Sequence, residues 1–215
     1  MSPVQFSDAA ARLVRIGQRF DARGWVMGTS GNFSVVIDQE PLRLAITRSG
    51  THKGELTAND ILEVGSDGTS IGTSIATRPG MPSAETRLHI EIVGARTAAA
   101  VLHTHSIWGT LMSDRFGSDG GVAIQGYEML KGLAGVTTHE HREWIPVLEN
   151  DQDIARLAMK VGNTLREYPD CHAFLLRRHG LYTWGATVQE AVRHVEIVEF
   201  LLETVGRKEA APWRS

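Results

Sequence analysis

Apolar positions along the chain follow two periods, one typical of helices and one typical of strands. In residues 7–22 apolar side chains recur every three or four positions, which predicts an amphipathic helix with Ser7 as its N-cap and Gly24 just beyond its end. The helical period returns in residues 83–95, 106–113, 151–168 and 187–206. Ser83 is the predicted N-cap of the helix 83–95. In the helix 187–206, Thr187 and Glu190 form a capping box at the start and Gly206 is the predicted stop.

Short apolar or alternating runs between these helices predict strands. They occupy residues 32–37, 42–47, 61–71, 98–105, 121–126, 144–148 and 171–185, with the third and the last read as strand pairs around a turn. A further helix is predicted to start in the segment "YEMLKGL", residues 127–133. Helices and strands alternate irregularly and hairpins are mixed in, so we expect one mixed sheet with helices packed on it in a single domain, residues 1–215.

Composition narrows the class of protein. A chain of 215 residues and 23.6 kDa is long enough for one sizeable core, and its formal charge of −3 gives no reason to expect nucleic acid or a membrane surface as a partner. No apolar run approaches the ~18–20 residues that span a bilayer, and the first residues do not read as a signal peptide. Cys171 is the only cysteine, which excludes an internal disulfide and favours a cytoplasmic location.

Two histidines end a buried strand in the stretch "AAAVLHTHSIWGTL", residues 98–111. His103 and His105 are two positions apart, so in a strand they share one face. Two neutral imidazoles that are desolvated together are both satisfied as metal ligands. His179, which follows the apolar run "AFLL" and precedes Gly180, is the best third ligand.

The remaining histidines are weaker candidates. His139 and His141 form a second His-x-His pair, but the surrounding Thr, Glu and Arg residues indicate a polar loop, so the pair is kept as the alternative. His52, His89 and His194 occur singly and are interpreted as structural residues.

Three polar segments are typical of anion-binding backbone. They are the loop 28–32, the loop 47–54 and the predicted helix start at 82–85, with candidate phosphate-binding residues Ser30, Gly31, Asn32, Ser49, Gly50, Ser83 and Ala84. None of them matches a nucleotide-binding motif. Combined with a histidine metal site, they predict a metal enzyme that acts on a phosphorylated small molecule.

Two carboxylates are candidates for proton transfer. Glu85 and Glu128 each stand at a predicted helix start, where a carboxylate is also expected simply because the helix dipole favours it. A catalytic base must reach the carbon next to the substrate carbonyl. The sequence alone does not give that distance.

The order and spacing of "GTSGN", "SG", "PSAE", "HTHS" and "HG" resemble the class II aldolase/adducin-like family over nearly the whole chain. The resemblance implies a three-layer α/β/α fold with a central mixed sheet, assembled as a C4 homotetramer. It implies one zinc ion on His103, His105 and His179, and phosphate binding by the three polar segments.

The segments "YEMLKG", "HEHREWIPVLENDQDIA" and "RRHGLYTWG" look closest to dehydratases of this family. The implied reaction is metal-dependent loss of water from 5-methylthioribulose 1-phosphate. Glu85 falls where the aldolases of the family carry their acid/base and Glu128 where the dehydratases carry theirs, and we favour Glu128 as the base. Tyr127, Glu85 or a metal-bound water are open as the donor to the leaving hydroxyl, and four residues are candidates for contact with the methylthio group: Met27, Trp108, Tyr127 and Trp144.

Other functions stay open at this point. Retro-aldol cleavage of a ketose phosphate or 4-epimerisation of a pentulose phosphate would need nearly the same site. A non-catalytic interaction module, as in the adducin head, would have no need for the histidines, and a three-histidine zinc hydrolase would have no need for the anion loops.

Overall fold

One eight-stranded sheet forms the centre of the computed structural model, which describes residues 4–71 and 80–210. The strand order is β3-β2-β1-β4-β8-β7-β6-β5, and the only parallel pair among these described strands is β6 with β7. The prediction of a mixed sheet is therefore confirmed. The strands are β1 (Asn32–Gln39), β2 (Leu42–Thr47), β3 (Ile61–Gly65), β4 (Ala100–Thr104), β5 (Gly121–Gln125), β6 (Arg142–Leu148), β7 (Ala173–Leu176) and β8 (Gly180–Gly185).

Helices cover both faces of the sheet, which gives the predicted three layers. Apolar residues of α2 and α4 form one core with the first face, and those of α1, α3 and α5 form two cores with the second. Among the helices of residues 4–71 and 80–210, none has the length and apolar character to cross a bilayer. The helices are α1 (Phe6–Asp21), α2 (Thr86–Arg96), α3 (Ile107–Arg115), α4 (Ile154–Glu167) and α5 (Val188–Ala210).

Alternation along β4 determines where the histidines point. Val101 packs into the core beneath α2 and α4, whereas Leu102 packs into the core beneath α1 and α5. His103 is two residues after Val101 and therefore lies on the α2/α4 face, where its ring stacks on Tyr182 of β8 with centroids 3.9 Å apart.

Two predicted N-caps and one predicted helix stop differ from the structure. Gln5, not Ser7, occupies the N-cap of α1 and makes no side-chain cap bond. Helix α2 begins at Thr86 rather than at Ser83, because the Ser83 hydroxyl accepts a hydrogen bond from the Glu85 N–H and holds a turn before the helix. Gly206 does not stop α5, because the helix continues through it to Ala210, and the absent Cβ instead leaves room for the ring of Trp108.

Two shorter segments also differ from prediction. The segment 61–71 forms a single strand, β3, followed only by a bridge between Val64 and Ser70. The helix expected from residue 127 is a short 3-10 turn, Glu128–Gly132.

Candidate metal and phosphate site

Three imidazoles from two neighbouring strand ends meet at one edge of the sheet. His103 lies on β4, His105 directly after it, and His179 directly before β8. The His105 Nε2 atom is 2.8 Å from Nε2 of His103 and 3.1 Å from Nε2 of His179. These three residues are the one group of metal-ligating side chains of this kind found in the described part of the chain.

The protonation state of the triad suits a cation. His103 donates its Nδ1 proton to the Leu181 carbonyl oxygen at 2.9 Å, so its Nε2 atom presents a lone pair. Burial lowers the pKa of His103 well below the usual value and that of His105 to about 4, and burial also lowers the pKa of His179 against an opposing effect of Glu85. The three rings are therefore neutral at pH 7.

The spacing of the three Nε2 atoms fits a tetrahedral divalent ion. Zinc–nitrogen bonds of about 2.0–2.1 Å place ligand nitrogens roughly 3.3 Å apart. A proton shared between two rings satisfies only one of the two Nε2–Nε2 contacts, as a hydrogen bond. A central ion, in contrast, accepts the lone pairs of all three Nε2 atoms.

Two glycines allow the backbone segments around the three histidines to approach closely enough for the rings to converge. A Cβ at Gly180 would collide with the Thr104 carbonyl oxygen and would lie 3.2 Å from Cε1 of His103. Gly31, at φ +72°, lies against the His103 carbonyl oxygen, where a Cβ would be 2.7 Å away. Glycine at residue 180 thus allows the close backbone approach between β8 and β4.

A buried hydrogen-bond chain orients Glu85 towards the triad. The Glu85 carboxylate accepts a 2.7 Å hydrogen bond from Asn32 Nδ2, and Asn32 Oδ1 in turn accepts one from His89 Nε2 at 2.5 Å. His89 is completely buried, its Nδ1 accepts from the Ser34 hydroxyl, and burial lowers its pKa to about 3, so it is a neutral structural residue. Glu85 consequently lies with its two oxygens 3.5 Å from Nε2 of His103 and of His179.

One cavity of about 370 Å³ joins the triad to all three polar segments. Its lining includes His105, His179 and Glu85 and every candidate phosphate residue: Ser30, Gly31, Asn32, Ser49, Gly50, Ser83 and Ala84. The Ser30 hydroxyl is buried with no hydrogen-bond partner among the described residues, as expected of a group that contacts a ligand. The Ser49 N–H, however, donates to the Met81 carbonyl oxygen at 3.0 Å and is not free to bind an anion.

Two cations in this cavity were missed by the sequence reasoning. Arg48 and Lys53 both line it, and Lys53 is 1% exposed. The Lys53 ammonium donates to the carbonyl oxygens of Thr29 and Thr51, so it joins the first polar loop to the second. A lysine three residues after "SG" carries no local sign of burial, and its contact with Thr29, which precedes it by 24 residues, is visible only in the folded chain.

Glu128 lies at the opposite edge of the sheet from the triad of its own chain. Gln125 at the end of β5 pairs with Arg142 at the start of β6, whereas the cavity residues 150–152 follow the end of β6. Seven residues of β6 separate the two edges by roughly 20 Å. Glu128 is 72% exposed and pairs with Lys131, which together with the charge of His139 lowers its pKa.

The other candidates lie outside the cavity. None of Met27, Trp108, Tyr127 and Trp144 is among its described lining residues, where Ile154 supplies an aliphatic side chain instead. His139 is exposed, and His141 donates to the Glu143 carboxylate at 2.8 Å. The alternative metal pair is therefore not assembled with a third ligand in the described residues.

The fold and the three-histidine site define the class of protein. A family model for the Class II Aldolase and Adducin N-terminal domain matches residues 11–205, and the chain belongs to this family. The family is metal-dependent, and the triad is the candidate site for the ion.

Curated relatives that carry the name methylthioribulose-1-phosphate dehydratase are similar along most of their length. The protein from Methylococcus capsulatus is 45% identical over 208 residues, which cover 96% of this chain and 97% of the relative. The protein from Sorangium cellulosum is 42% identical over 199 residues, which cover 92% and 91%.

Solved structures of aldolases share the fold at lower identity. An L-fuculose-1-phosphate aldolase from Thermus thermophilus superimposes with a TM-score of 0.75 at 24% identity, over 96% of this chain and 97% of that chain. A sugar-phosphate aldolase from Thermotoga maritima gives a TM-score of 0.70 at 18% identity, over 96% and 97%. These likenesses establish the fold.

Proposed function

We propose that the protein removes water from 5-methylthioribulose 1-phosphate to give 5-methylthio-2,3-dioxopentyl phosphate, a hydro-lyase step of methionine salvage. The observation that carries the proposal is one cavity in which the three converging histidines meet a polar pocket that holds two cationic side chains, Arg48 and Lys53. The methylthioribulose-1-phosphate dehydratases that match nearly the whole chain support this choice of substrate.

The phosphate end of the cavity orients the substrate. The Ser30 hydroxyl, the segment at Ser83 and Ala84, and the side chains of Arg48 and Lys53 offer donors and positive charge to a phosphate dianion. Binding energy at this remote group fixes the carbonyl carbon next to the triad.

His103, His105 and His179 are the proposed ligands of one divalent ion, with zinc the expected metal. A bound ion of this kind supplies a Lewis acid for negative charge that develops on the carbonyl oxygen of the second carbon. Glu128 removes the proton from the third carbon, the hydroxyl leaves the fourth carbon, and the resulting enol relaxes to the 2,3-diketone. Glu85, held by Asn32, is the same-chain carboxylate positioned to pass a proton to the departing hydroxyl.

In this scheme the catalytic base, Glu128, comes from a neighbouring subunit of a homotetramer. Because Glu128 lies at the far edge of its own sheet, it reaches a triad only in another copy of the chain. A cyclic arrangement brings the far edge of one subunit to the cavity of the next.

The lone, buried Cys171 is consistent with a reaction in the cytosol.

The experiment that tests this function is a substrate panel on one purified sample, with metal content measured by elemental analysis. We expect turnover of 5-methylthioribulose 1-phosphate and at least about a hundredfold lower kcat/KM with fuculose 1-phosphate and ribulose 5-phosphate, since each missing contact costs about 1–3 kcal/mol. The reverse ranking in a metal-loaded sample would reject the dehydratase assignment.

A class II aldolase is the second candidate function. It is favoured by the position of Glu85, which stands within 3.5 Å of two triad nitrogens in the same chain and needs no second subunit. Cleavage of fuculose 1-phosphate in the panel would select it.

Lys53 is expected to control phosphate affinity. Lys53→Met removes a buried charge from the phosphate end of the cavity, and charged hydrogen bonds of about 1.5–3 kcal/mol predict a KM about 10- to 100-fold higher with a smaller change in kcat. Burial lowers the pKa of Lys53 to about 8, so the ammonium is lost as pH rises through that value. KM of the native enzyme should therefore rise above pH 8.

Steady-state kinetics at pH 7 and pH 9 check this prediction. Lys208→Met, on the exposed end of α5, is the matched control and should leave KM unchanged. A KM for Lys53→Met equal to the native value at pH 7 would place Lys53 outside phosphate binding.

A further inference from the structure

A second cluster of titratable groups lies at the sheet edge that carries Glu128. Its centre is Glu143 on β6, a carboxylate only 1% exposed. Glu143 accepts hydrogen bonds from the His172 N–H, from His172 Nδ1 and from His141 Nε2. Burial alone raises the pKa of Glu143, but these donors outweigh burial and hold it below its usual value. The carboxylate is therefore ionised.

The contacts of His172 require an imidazolium. Its Nδ1 lies 3.0 and 3.1 Å from the two oxygens of Glu143, and its Nε2 lies 2.8 Å from the Ala134 carbonyl oxygen. A carboxylate and a carbonyl have no proton to offer, so both ring nitrogens must donate. Burial lowers the pKa of His172, yet Glu143 overcomes this effect and raises it above the usual value.

His194 on α5 also binds the backbone of Ala134, at its N–H rather than at its carbonyl oxygen. It donates its Nδ1 proton to the Trp184 carbonyl oxygen at 2.7 Å, and its Nε2 accepts the Ala134 N–H at 3.1 Å. This pair of contacts fixes His194 as a neutral ring, and burial lowers its pKa. The N–H and C=O of Ala134 are thus each bound by a different histidine. We call Glu143, His172 and His194 the Ala134 clamp.

The Ala134 clamp lies next to the turn that carries Glu128. The 3-10 turn Glu128–Gly132 ends two residues before Ala134, and Leu130 and Leu133 on either side of its last residues are buried. At the other end of the turn, the Gly126 N–H donates to the His139 carbonyl oxygen. The exposed carboxylate of Glu128 is therefore presented on a short segment fixed at both ends.

We propose that the Ala134 clamp is a positioning device that holds the Glu128 turn in the orientation needed to enter the active site of a neighbouring subunit. None of the three clamp residues lines the cavity of its own chain, and they act through the backbone of Ala134. This inference rests on the proposed function, because it assigns to the clamp the placement of the proposed base.

The clamp should hold Ala134 only over a limited range of pH. The two limits of this range follow from the protonation states of His172 and His194. Raising the pH through the elevated pKa of His172 removes a proton and with it one of its two bonds, whereas lowering the pH through the depressed pKa of His194 protonates the acceptor of the Ala134 N–H. Activity that depends on the clamp is therefore lost on both sides. The charged or titratable groups that face these rings are Glu143 and His141 from the β6 segment, and Glu190 and Arg193 from α5.

Kinetics of matched variants in the intact enzyme test the clamp. Glu143→Gln keeps the shape of the side chain but removes the charge that holds His172 protonated, and His172→Gln removes the bond to Ala134. Both should lower kcat at least tenfold, with metal content and KM within twofold of native, and Glu143→Gln should narrow the alkaline side of the pH profile. His141→Ala is the matched control, because it loses a donor to the same carboxylate without touching Ala134, and its kcat should stay within twofold.

Two readouts that need no turnover accompany the kinetics. Nitrogen NMR of ¹⁵N-histidine-labelled protein should show His172 doubly protonated at pH 7 in the native enzyme and neutral in Glu143→Gln. Hydrogen exchange should show faster exchange of residues 127–136 in Glu143→Gln and His172→Gln than in His141→Ala.

These readouts separate failure of the clamp from failure of the proposed function. A neutral His172 in the native protein overturns the clamp whatever the activity, and this measurement holds even if a variant does not fold. Native kcat in Glu143→Gln with accelerated exchange of 127–136 also overturns it. A protein that shows the cationic His172 and the exchange pattern but has no dehydratase activity refutes the proposed function, and with it the assignment of the clamp to the placement of a base.

Discussion

His179→Ala is expected to remove the bound metal and to lower kcat for dehydration by about a thousandfold or more. Stabilisation of charge on the carbonyl oxygen by a bound ion is worth several kcal/mol, and a loss of about 4 kcal/mol corresponds to a factor of about a thousand. The same loss is expected for His103→Ala and His105→Ala. His179 offers the cleanest test, because His103 is fully buried against Tyr182 and its removal also opens a cavity in the core.

The measurement is metal content by elemental analysis on protein purified without chelator, together with kcat on the same sample. A protein that loses a ligand also loses the stabilisation that metal binding gives to the folded state, so Tm of His179→Ala should fall and should no longer respond to chelator.

His141→Ala serves as the control for metal content, because it belongs to the alternative His-x-His pair and its Nε2 binds Glu143 instead of the triad. It should retain the native stoichiometry. Full metal occupancy in His179→Ala combined with loss of metal in His141→Ala would move the metal site to the second pair.

Local sequence signals were sufficient where a structural feature depends on neighbouring residues. The apolar run before His179 and the glycine after it predicted the β7–β8 hairpin, because a turn needs only the residues that form it. The i, i+2 spacing of His103 and His105 predicted that both rings point the same way within one strand. Their Nε2 atoms do lie 2.8 Å apart, although β4 ends at Thr104 and His105 lies just beyond it.

Features that depend on distant parts of the chain were not accessible in this way. Gly206 has the sequence signature of a helix stop, but α5 continues through it, and the ring of Trp108 from another helix occupies the space that a Cβ would need. Lys53 reads as an ordinary surface lysine until the fold brings the carbonyl oxygen of Thr29, a distant residue, to its ammonium group. In both cases the residue has a tertiary contact that the local sequence does not show.

Strand pairing, which the local sequence does not give, determines whether Glu128 can reach the triad of its own chain. The sequence places Glu85 and Glu128 at comparable helix starts, and nothing local distinguishes them. Only the antiparallel pairing of Gln125 with Arg142 reveals that Glu128 and the triad of the same chain occupy opposite edges of the sheet. The role of Glu128 consequently depends on how copies of the chain assemble.

Glu128→Gln is expected to keep metal and substrate binding and to lower kcat by about 10²- to 10⁴-fold, the usual contribution of a general base. If the base comes from a neighbouring subunit, two inactive variants should restore each other in mixed oligomers. A subunit with Glu128→Gln still provides an intact triad, and a subunit with His179→Ala still provides an intact Glu128.

Random mixing of the two variants in a ring gives the expected size of the effect. A site is complete when a Glu128→Gln subunit provides the triad and its neighbour is a His179→Ala subunit, which for equal amounts occurs at about one site in four. Co-expression of the two chains with different tags, followed by purification on both tags, should therefore give about a quarter of the native kcat per subunit. The matched control is co-expression of His103→Ala with His179→Ala, which should restore nothing because both changes damage the same triad.

The outcomes of this mixing experiment assign the base. Recovery of activity with the first pair and not with the second places Glu128 in the active site of the neighbouring subunit. Absence of recovery in mixed oligomers that carry both tags would contradict that placement, because a base that acted within its own chain could not be supplied by a partner. Native turnover by Glu128→Gln alone would remove this residue from the mechanism and leave Glu85, already fixed by Asn32 beside the triad, as the carboxylate that must move the proton.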